Sequence, residues 1–380
     1  MTFLIRGIAM SKPEALAREI LSLANVEIGG SHPWDITVND DRLYQRLMGD
    51  GILGLGESYM DGWWDCDDLE KFIIHVLNAD LEHRISPMKL LLPVVTAKFV
   101  NFQSRSRAAK NVSSHYDLGN VLFENMLDKR MAYSCAYWKD ADTLDEAQEA
   151  KFDLICQKVN LQPGMHILDI GCGWGSFLKY AAQKYGVTGE GVTLSKDQVE
   201  LGRQLCVDLP LEIRLQDYRD LDATYDAVIS IGMFEHVGSS NYRSFMETVH
   251  KVLKDDGLFL LHTIGSLDVK ESTDPWTDRY IFPGSHLPTM EQITKAEHRL
   301  FVMEDLHNFG EDYATTLQAW CKNFKDNWED QISRHYDQRF YRMWTYMLLT
   351  YAGSFRVRRN QLWQIVYSKT GVLGGYDSVR

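Results

Sequence analysis

The sequence predicts an α/β protein in which a parallel β-sheet carries helices on both faces, preceded by a smaller N-terminal domain. Strand-like and helix-like segments alternate from residue 116 onward, which is typical of a doubly wound sheet. The length of 380 residues allows roughly two domains and a substantial core. A composition with 45% hydrophobic and 24% charged residues excludes a disordered chain, a collagen-like fibre and a coiled coil.

Charge and cysteine content restrict the classes of partner and compartment. The formal net charge is −13, which argues against general binding to nucleic acid. The six cysteines form no C-x-x-C pair, the first residues lack a secretory leader, and no run approaches the ~20 apolar residues of a membrane-spanning helix. We therefore expect a cytoplasmic protein with reduced thiols.

The N-terminal region combines helical apolar spacing with a cluster of glycines. A short strand is predicted over residues 35–38. Gly51, Gly54, Gly56 and Gly62 lie beside two tryptophans, and we expect the backbone to turn tightly around these aromatic side chains. The favoured interpretation is a packed turn within an accessory domain. A contact with the main domain, a partner subunit or a lipid is the alternative.

Residues 83–116 reverse the charge of the chain. They contain six Lys or Arg residues and no Asp or Glu, interleaved with aliphatic and aromatic residues. Such a segment suits contact with anionic lipid headgroups, and it also suits a solvated linker between two domains. A second basic cluster near the C-terminus has the same two interpretations; it consists of Arg356, Arg358 and Arg359.

The C-terminal region shows the alternation element by element. Thr143 and Glu146 predict a capping box at the start of a helix. The strand MHILDI, the loop GCGWG and a helix that Gly186 ends follow in that order. Four more segments predict further strands of the sheet, namely VTGEGV, LEIRLQ, YDAVISI and GLFLLHT.

The turn after the first of these strands is glycine-rich. The sequence LDIGCGWG places Asp169 at the end of the strand and Gly171, Gly173 and Gly175 in the turn, where a ligand can approach bare backbone. The short G-x-G-x-G spacing after an acidic residue resembles that of class I methyltransferases. Their ligand, S-adenosylmethionine, carries cationic groups that an aspartate can compensate. A nicotinamide dinucleotide is the alternative ligand.

The next two strand ends supply the other candidate ligand-binding residues. Thr193 occupies the place where a carboxylate commonly meets a ribose, and Leu194 follows it. Ser195 and Gln198 form a second predicted capping box, in which Gln198 bonds only to the start of the helix. The alternative is that Thr193, Ser195 and Gln198 together form hydrogen bonds with the ribose and the methionine tail. Farther along, the candidates for the adenine are Asp217, at its amino group, and Tyr218, stacked on the ring.

Several motifs together resemble the cyclopropane-fatty-acyl-phospholipid synthases. They are HYDLGN, YSCAYW, LDIGCGWG, GVTLS, QDYRDL, GMFEHVG, LLHTIGS and DPWTDRYIFPG, while GLGESYMDGWW resembles the extra N-terminal domain of the bacterial phospholipid enzymes. The resemblance covers nearly the entire chain. It implies an accessory domain over residues 1–98, a basic linker over 99–112, and a seven-stranded class I methyltransferase domain over 113–380.

The resemblance also implies a reaction: transfer of a methylene group from S-adenosylmethionine to the cis double bond of an unsaturated acyl chain in a membrane phospholipid. An alkene is a poor nucleophile, so such a site must rely on positioning in an apolar slot. Methyl transfer creates a carbocation, which aromatic faces can stabilise and from which water must be excluded. We find no catalytic triad, no metal-ligand spacing and no lysine nucleophile motif in the sequence.

In the resembling family the base that closes the ring is a bound bicarbonate. The matching residues are Cys135, Glu235, His262, Ile264 through its backbone, and Tyr313, and the matching cofactor-contacting pair is Tyr133 and Ser134. Without the resemblance, His262 is interpreted as a core histidine, Glu235 and His236 as helix-capping groups and Cys135 as an inert thiol. The resemblance further implies a homodimer and peripheral contact with the inner face of the membrane.

Three other functions remain open at this point. A related lipid C-methyltransferase would quench the same cation differently and give a methyl-branched or methylene-bearing chain. An N- or O-methyltransferase of small metabolites is disfavoured by the accessory domain. A non-catalytic lipid-binding protein with a relic cofactor fold belongs to another class, and binding of S-adenosylmethionine would discriminate against it.

Overall fold

The computed structural model describes residues 12–81, 119–268 and 273–380. The predicted basic linker and the cationic segment lie outside the described residues. Of the predicted accessory domain, the structure describes residues 12–81. Within the described ranges, no helix is both long enough and apolar enough to cross a bilayer. All six cysteines are free thiols.

The N-terminal region is a small helical unit. Its helices are α1 (Lys12–Leu23), α2 (Arg42–Met60) and α3 (Leu69–Asn78), and its two antiparallel strands are β1 (Thr37–Val38) and β2 (Trp64–Asp65). The strand expected over 35–38 is therefore present but shorter.

The glycine cluster does not form the tight turn that the sequence suggested. Only Gly51 and Gly62 have positive φ, 54° and 74°, and Gly51 kinks α2. Gly54 and Gly56 lie inside the helix. A Cβ at Gly56 would lie 2.5 Å from Cδ1 of Trp276, so the absence of a side chain allows α2 to approach the main domain. The prediction of a turn is wrong at these two glycines, and the alternative, a contact with the main domain, is confirmed.

The C-terminal region contains the expected seven-stranded sheet. Its strands are β3 (His166–Ile170), β4 (Thr188–Thr193), β5 (Leu211–Leu215), β6 (Tyr225–Ile231), β7 (Leu253–Ser266), β8 (Val302–Asn308) and β9 (Asn360–Ser368). The order is β5-β4-β3-β6-β7-β9-β8. The first five strands in this order are parallel to one another, and β9 is antiparallel to both its neighbours, β7 and β8. The parallel strands direct their carboxyl ends to one edge.

Helices cover both faces of this sheet. They are α4 (Asn120–Met126), α5 (Leu144–Lys158), α6 (Ser176–Tyr185), α7 (Lys196–Leu205), α8 (Tyr242–Val252), α9 (Pro275–Tyr280), α10 (Met290–Glu297), α11 (Gly310–Asp326) and α12 (Gln338–Arg356). Residues of β3 alternate between two hydrophobic cores: Leu168 and Ile170 enter one, and Ile167 enters the other. The doubly wound fold predicted from the alternation is confirmed.

The predicted helix ends are partly confirmed. The capping box of Thr143 and Glu146 begins α5, and Gly186, with φ of 67°, ends α6. Ser195 caps α7 by accepting from the Gln198 N–H at 3.3 Å. The capping box predicted there also requires the Gln198 side chain to accept from the Ser195 N–H, and that part of the prediction is wrong. The Gln198 side chain accepts from the Thr193 hydroxyl at 2.7 Å instead.

The N-terminal unit packs against α9 and α12. Tyr280 donates to Glu57 at 2.7 Å, and Arg342 donates to the Trp64 carbonyl at 2.7 Å. The C-terminal basic cluster belongs partly to this contact. Arg356 pairs with Glu70, and Arg359 donates to the Leu77 carbonyl at 2.8 Å. These two arginines join the two regions of the chain.

Candidate active site

Two adjoining cavities lie at the carboxyl ends of the parallel strands. The smaller, of about 140 Å³, follows the glycine-rich turn, and the larger, of about 320 Å³, lies between the sheet edge, the C-terminal helices and the N-terminal unit. Tyr133, Gly232 and His236 line both cavities. A group bound in the smaller cavity can therefore meet a group bound in the larger one at these three residues.

The glycine-rich turn forms one wall of the smaller cavity. Gly171 and Gly173 line it, and Gly171 combines a φ of 83° with a close approach, since a Cβ there would lie 2.6 Å from the Met233 side chain. Gly175 caps α6 with φ of 80° and lies close to the Cys206 side chain. It is not among the described residues that line the smaller cavity. Its function in the structure is to start the helix.

Asp169 presents a buried carboxyl group to the smaller cavity. Its side chain is almost fully buried, and Oδ1 has no hydrogen-bond partner among the residues that the structure describes. Burial raises the pKa of this carboxyl to about 7, against the attraction of the Lys151 ammonium. An ionised Asp169 is therefore suited to accept from a cationic ligand group.

The predicted ribose and adenine residues are only partly brought together. Thr193, Leu194 and Gln198 line the smaller cavity, whereas Ser195 is buried below them as the cap of α7. Tyr218 also lines the cavity. The carboxylate of Asp217 turns away to Arg219, whose Nε donates to it at 2.8 Å. Sequence reasoning missed Arg219 and Gln216 as lining residues, because within the motif QDYRDL only Asp217 and Tyr218 were singled out as candidates.

Tyr133 and Ser134, the pair that the resemblance assigns to the cofactor, occupy the loop between α4 and α5. Ser134 lines the smaller cavity, and its Oγ accepts from the buried Nζ of Lys151 at 2.8 Å. The Tyr133 ring packs against Trp320 with a centroid distance of 5.1 Å. This loop thus forms the partition between the two cavities.

The larger cavity is mainly apolar, and both regions of the chain build it. The N-terminal unit contributes Ile52, Leu55, Ile73, Val76 and Leu77. The C-terminal region contributes a set of aromatic side chains, namely Tyr133, Trp276, Phe282, Tyr313, Trp320, Tyr346, Tyr351 and Phe355. Sequence reasoning did not single out these N-terminal residues, because their apolar spacing is that of an ordinary helix.

Three of the five predicted base-holding residues line the larger cavity: Glu235, Ile264 and Tyr313. Cys135 and His262 are fully buried. Neither is among the described residues that line the two cavities. The thiol of Cys135 donates to the Ala136 carbonyl at 3.1 Å. The Ile264 N–H, which we expected to donate to a bound anion, donates to Oε1 of Glu235 at 2.6 Å.

Glu235 and His262 each retain an open polar atom. Within the described part of the chain, neither Oε2 of Glu235 nor Nε2 of His262 has a hydrogen-bond partner. Burial raises the pKa of Glu235 to about 7 and lowers the pKa of His262 well below its usual value, so the imidazole is neutral. Nε2 of Gln364 lies 3.2 Å from the other ring nitrogen, Nδ1. When this amide donates, the ring proton lies on Nε2.

His236 was interpreted from the sequence as a capping group only. The structure places it at the junction of the two cavities, where burial lowers its pKa to about 4.

Metal ligation is a separate question. Over residues 12–81, 119–268 and 273–380, no three His, Cys, Asp or Glu side chains are grouped so that they could hold a metal ion.

Comparison with known proteins supports the resemblance. A family model described as "Mycolic acid cyclopropane synthetase" matches residues 103–365. The cyclopropane-fatty-acyl-phospholipid synthase of Escherichia coli K12 is 50% identical over 366 residues, which cover 96% of this chain and 95% of that protein.

Two solved structures show the same fold at lower identity. The cyclopropane synthase MmaA2 from Mycobacterium tuberculosis superposes with a TM-score of 0.66 and 31% identity, covering 71% of this chain and 100% of that chain. The mycolic acid cyclopropane synthase CmaA1, complexed with SAH and CTAB, superposes with a TM-score of 0.65 and 34% identity, covering 69% and 98%. The chain belongs to the cyclopropane synthase family of S-adenosylmethionine-dependent methyltransferases.

Proposed function

We propose that this chain transfers a methylene group from S-adenosylmethionine to the cis double bond of an unsaturated acyl chain in a membrane phospholipid, giving a cyclopropane ring and S-adenosylhomocysteine. The observation that carries the proposal is the junction of the smaller cavity, which the glycine-rich turn and Asp169 line, with the larger apolar cavity at Tyr133, Gly232 and His236. The name of the Escherichia coli relative supports the phospholipid as substrate.

The smaller cavity suits the methyl donor. Asp169 offers a buried carboxylate for the ammonium of the methionine tail, and Gly173, which has open space where a Cβ would lie, allows a ligand to approach the backbone. The sulfonium would then lie toward the junction, and the reacting carbon of the acyl chain would approach from the larger cavity. Holding both in this way supplies much of the rate enhancement, because an alkene offers little nucleophilicity.

The larger cavity suits the acyl chain and the cation that forms on it. Its wall is predominantly apolar, which excludes water from a centre that water would convert into an alcohol. Tyr133 and Trp320 form a ring pair at the edge of the junction, with 5.1 Å between centroids. Their π-faces can stabilise positive charge that develops beside them.

The residues around Glu235 fit a small oxyanion such as bicarbonate, which when bound would supply the base that removes a proton from the added methyl group. Two buried polar atoms that no described group satisfies, Oε2 of Glu235 and Nε2 of His262, support this fit. Glu235 can accept the anion's own O–H, and His262 and Tyr313 can donate to its oxygens, whereas the Cys135 thiol already donates to the Ala136 carbonyl. Ile264 orients Glu235 through its backbone N–H.

Membrane association and oligomeric state belong to the same proposal. We propose that the protein docks peripherally on the inner face of the membrane to reach its phospholipid substrate, with residues 83–112 as the candidates for part of this contact. We expect flotation with anionic liposomes to be lost when Arg105, Arg107 and Lys110 are replaced by Glu. Unchanged flotation would exclude that segment. A homodimer is proposed from the family resemblance, and its mass in solution tests it.

The decisive experiment is incubation with S-adenosylmethionine and monounsaturated phospholipid vesicles, with and without bicarbonate, followed by NMR of the product acyl chains. We expect cyclopropane protons, and more of them with bicarbonate. A methylene or methyl-branched product would instead assign the related C-methyltransferase activity. Glu235→Gln tests the base site: we expect turnover to fall about a hundredfold through lost positioning, with affinity for S-adenosylhomocysteine unchanged.

A further inference from the structure

A buried lysine lies beneath the smaller cavity. Lys151 of α5 is fully buried, its Nζ lies 2.8 Å from the Ser134 hydroxyl oxygen, and the same nitrogen lies 4.2 Å from the Phe152 ring centroid. An ammonium group buried among apolar side chains is costly unless nearby groups compensate its charge. The position of this lysine therefore requires an explanation beyond packing.

The charged surroundings of Lys151 keep it protonated near neutral pH. Burial lowers its pKa to about 8, while Asp128, Cys135 and Asp169 act in the opposite direction. Asp128 lies before the Ser134 loop and accepts from the Ala132 N–H at 2.8 Å. Asp169 lies near the end of β3 and lines the smaller cavity together with Ser134. Asp128 and Asp169 thus act on the ammonium electrostatically from two separate parts of the fold, while the Ser134 hydroxyl lies within hydrogen-bond distance of it.

Helix α5 holds the Ser134 loop at two points. Gln148, one turn before Lys151, donates to the carbonyls of Ala132 and Ser134 at 3.2 Å and 2.8 Å. The amide thus positions the loop backbone, and the ammonium contacts the serine side chain. Ala132 and Ser134 both line the smaller cavity, so the amide acts on its wall through the backbone and the ammonium acts through the Ser134 side chain.

The lysine determines how the serine hydroxyl can be used. An ammonium group can only donate, so it occupies a lone pair of Ser134 Oγ, and the serine proton must be donated elsewhere. Ser134 lines the smaller cavity, and Asp169 presents an acceptor to the same cavity. A donor and an acceptor at one end of a cavity complement the carboxylate and the ammonium of an amino acid.

We propose that Lys151 is a positioning residue, which directs the Ser134 hydroxyl proton into the smaller cavity so that it donates to the carboxylate of the methionine portion of the methyl donor. This inference rests on the proposed function, because it takes S-adenosylmethionine as the ligand of that cavity. Lys151 itself does not contact the ligand and acts through Ser134.

The test compares two ligands that differ in the amino acid portion. Affinities for S-adenosylhomocysteine and for 5′-methylthioadenosine, which lacks that portion, are measured by calorimetry with the wild-type protein and Lys151→Met. We expect the variant to lose about tenfold to a hundredfold in affinity for S-adenosylhomocysteine, the range of one charge-assisted contact, and to keep its affinity for methylthioadenosine. Equal losses for both ligands, or no loss, would overturn the inference.

A second variant protects the test against misfolding. Ser134→Ala leaves the lysine in place and removes the hydroxyl, and we expect the same selective loss. In the double variant the two losses should not add, since both changes remove one contact. Additive losses would overturn the coupling between Lys151 and Ser134. A wild-type protein that binds neither ligand would instead overturn the proposed function itself.

Discussion

The backbone N–H of Ile264 donates to Oε1 of Glu235 across 2.6 Å, and this bond joins the end of β7 to the turn that follows β6. It satisfies one oxygen of a buried carboxyl group, and the other, Oε2, has no hydrogen-bond partner among the described residues. Because burial outweighs this bond, the carboxyl has a pKa of about 7. Glu235 is therefore available as a neutral acid below that pH and as a carboxylate above it.

The raised pKa of Glu235 predicts a pH-dependent cost to stability. The carboxyl has its ordinary pKa of 4.5 in the unfolded chain and about 7 in the folded protein, so the folded state holds a proton more tightly and loses stability as pH rises between these values. In Glu235→Gln that contribution is absent. Relative to wild type, the variant should gain up to about 3 kcal/mol between pH 4.5 and 7.

Urea unfolding of the two proteins at pH 5 and pH 8 measures this difference. Asp169 contributes a similar term to both proteins, so it cancels in the comparison. If the free energies of unfolding of wild type and variant change in parallel with pH, the assignment of a raised pKa to Glu235 is wrong.

Asp169 predicts a pH dependence of ligand affinity. Its pKa of about 7 means that the carboxylate needed for a cationic ligand group is fully present only above that pH. Affinity for S-adenosylhomocysteine should therefore rise from pH 6 to pH 8. Asp169→Asn should weaken binding about tenfold to a hundredfold and remove most of this pH dependence. Calorimetry at the two pH values tests both statements, and a variant that retains the wild-type pH profile would contradict them.

The close approach at Gly56 predicts a sensitive contact between the N-terminal unit and the main domain. Gly56→Ala would place a Cβ 2.5 Å from the Trp276 ring, which also lines the larger cavity. We expect a loss of about 1–3 kcal/mol in the free energy of unfolding, as for other overpacked sites. Turnover of lipid should fall, while binding of S-adenosylhomocysteine should not change.

Gly49→Ala is the matched control on the same helix. No described atom outside its immediate neighbours lies within 4 Å of a Cβ at Gly49. This change should be neutral or stabilise the protein by up to about 1 kcal/mol through helix propensity. If the two alanine variants behave alike in chemical unfolding, the contact with Trp276 has no importance for stability.

Val76 tests whether the N-terminal unit forms part of the substrate site. Val76→Trp adds a large side chain to the wall of the larger cavity. We expect turnover of unsaturated phospholipid to fall about tenfold or more through misplacement of the chain, with unchanged affinity for S-adenosylhomocysteine. Leu23→Trp serves as control, since Leu23 is 42% exposed on α1 and lies outside the cavity lining in the described structure. Normal turnover in Val76→Trp would exclude the N-terminal wall from substrate binding.

Sequence reasoning succeeded where the signal is local. The strand MHILDI, the turn at Gly171 and the capping box at Thr143 each follow from hydrophobic period, permitted φ or a reciprocal pair three residues apart. It failed where a side chain had more than one possible partner. Asp217 bonds with Arg219, and Gln198 bonds with Thr193, although the sequence also allowed other partners for both.

The sequence by itself determined the doubly wound architecture, the family and the glycine-rich turn at the edge of the sheet. Only the tertiary structure decided that Ile73 and Val76 line a cavity with Trp320, and that Lys151 contacts Ser134. The physical reason is the range of the interactions. Backbone preferences act between near neighbours and remain visible in the order of residues, whereas a cavity wall and a buried ion contact arise only when distant segments pack together.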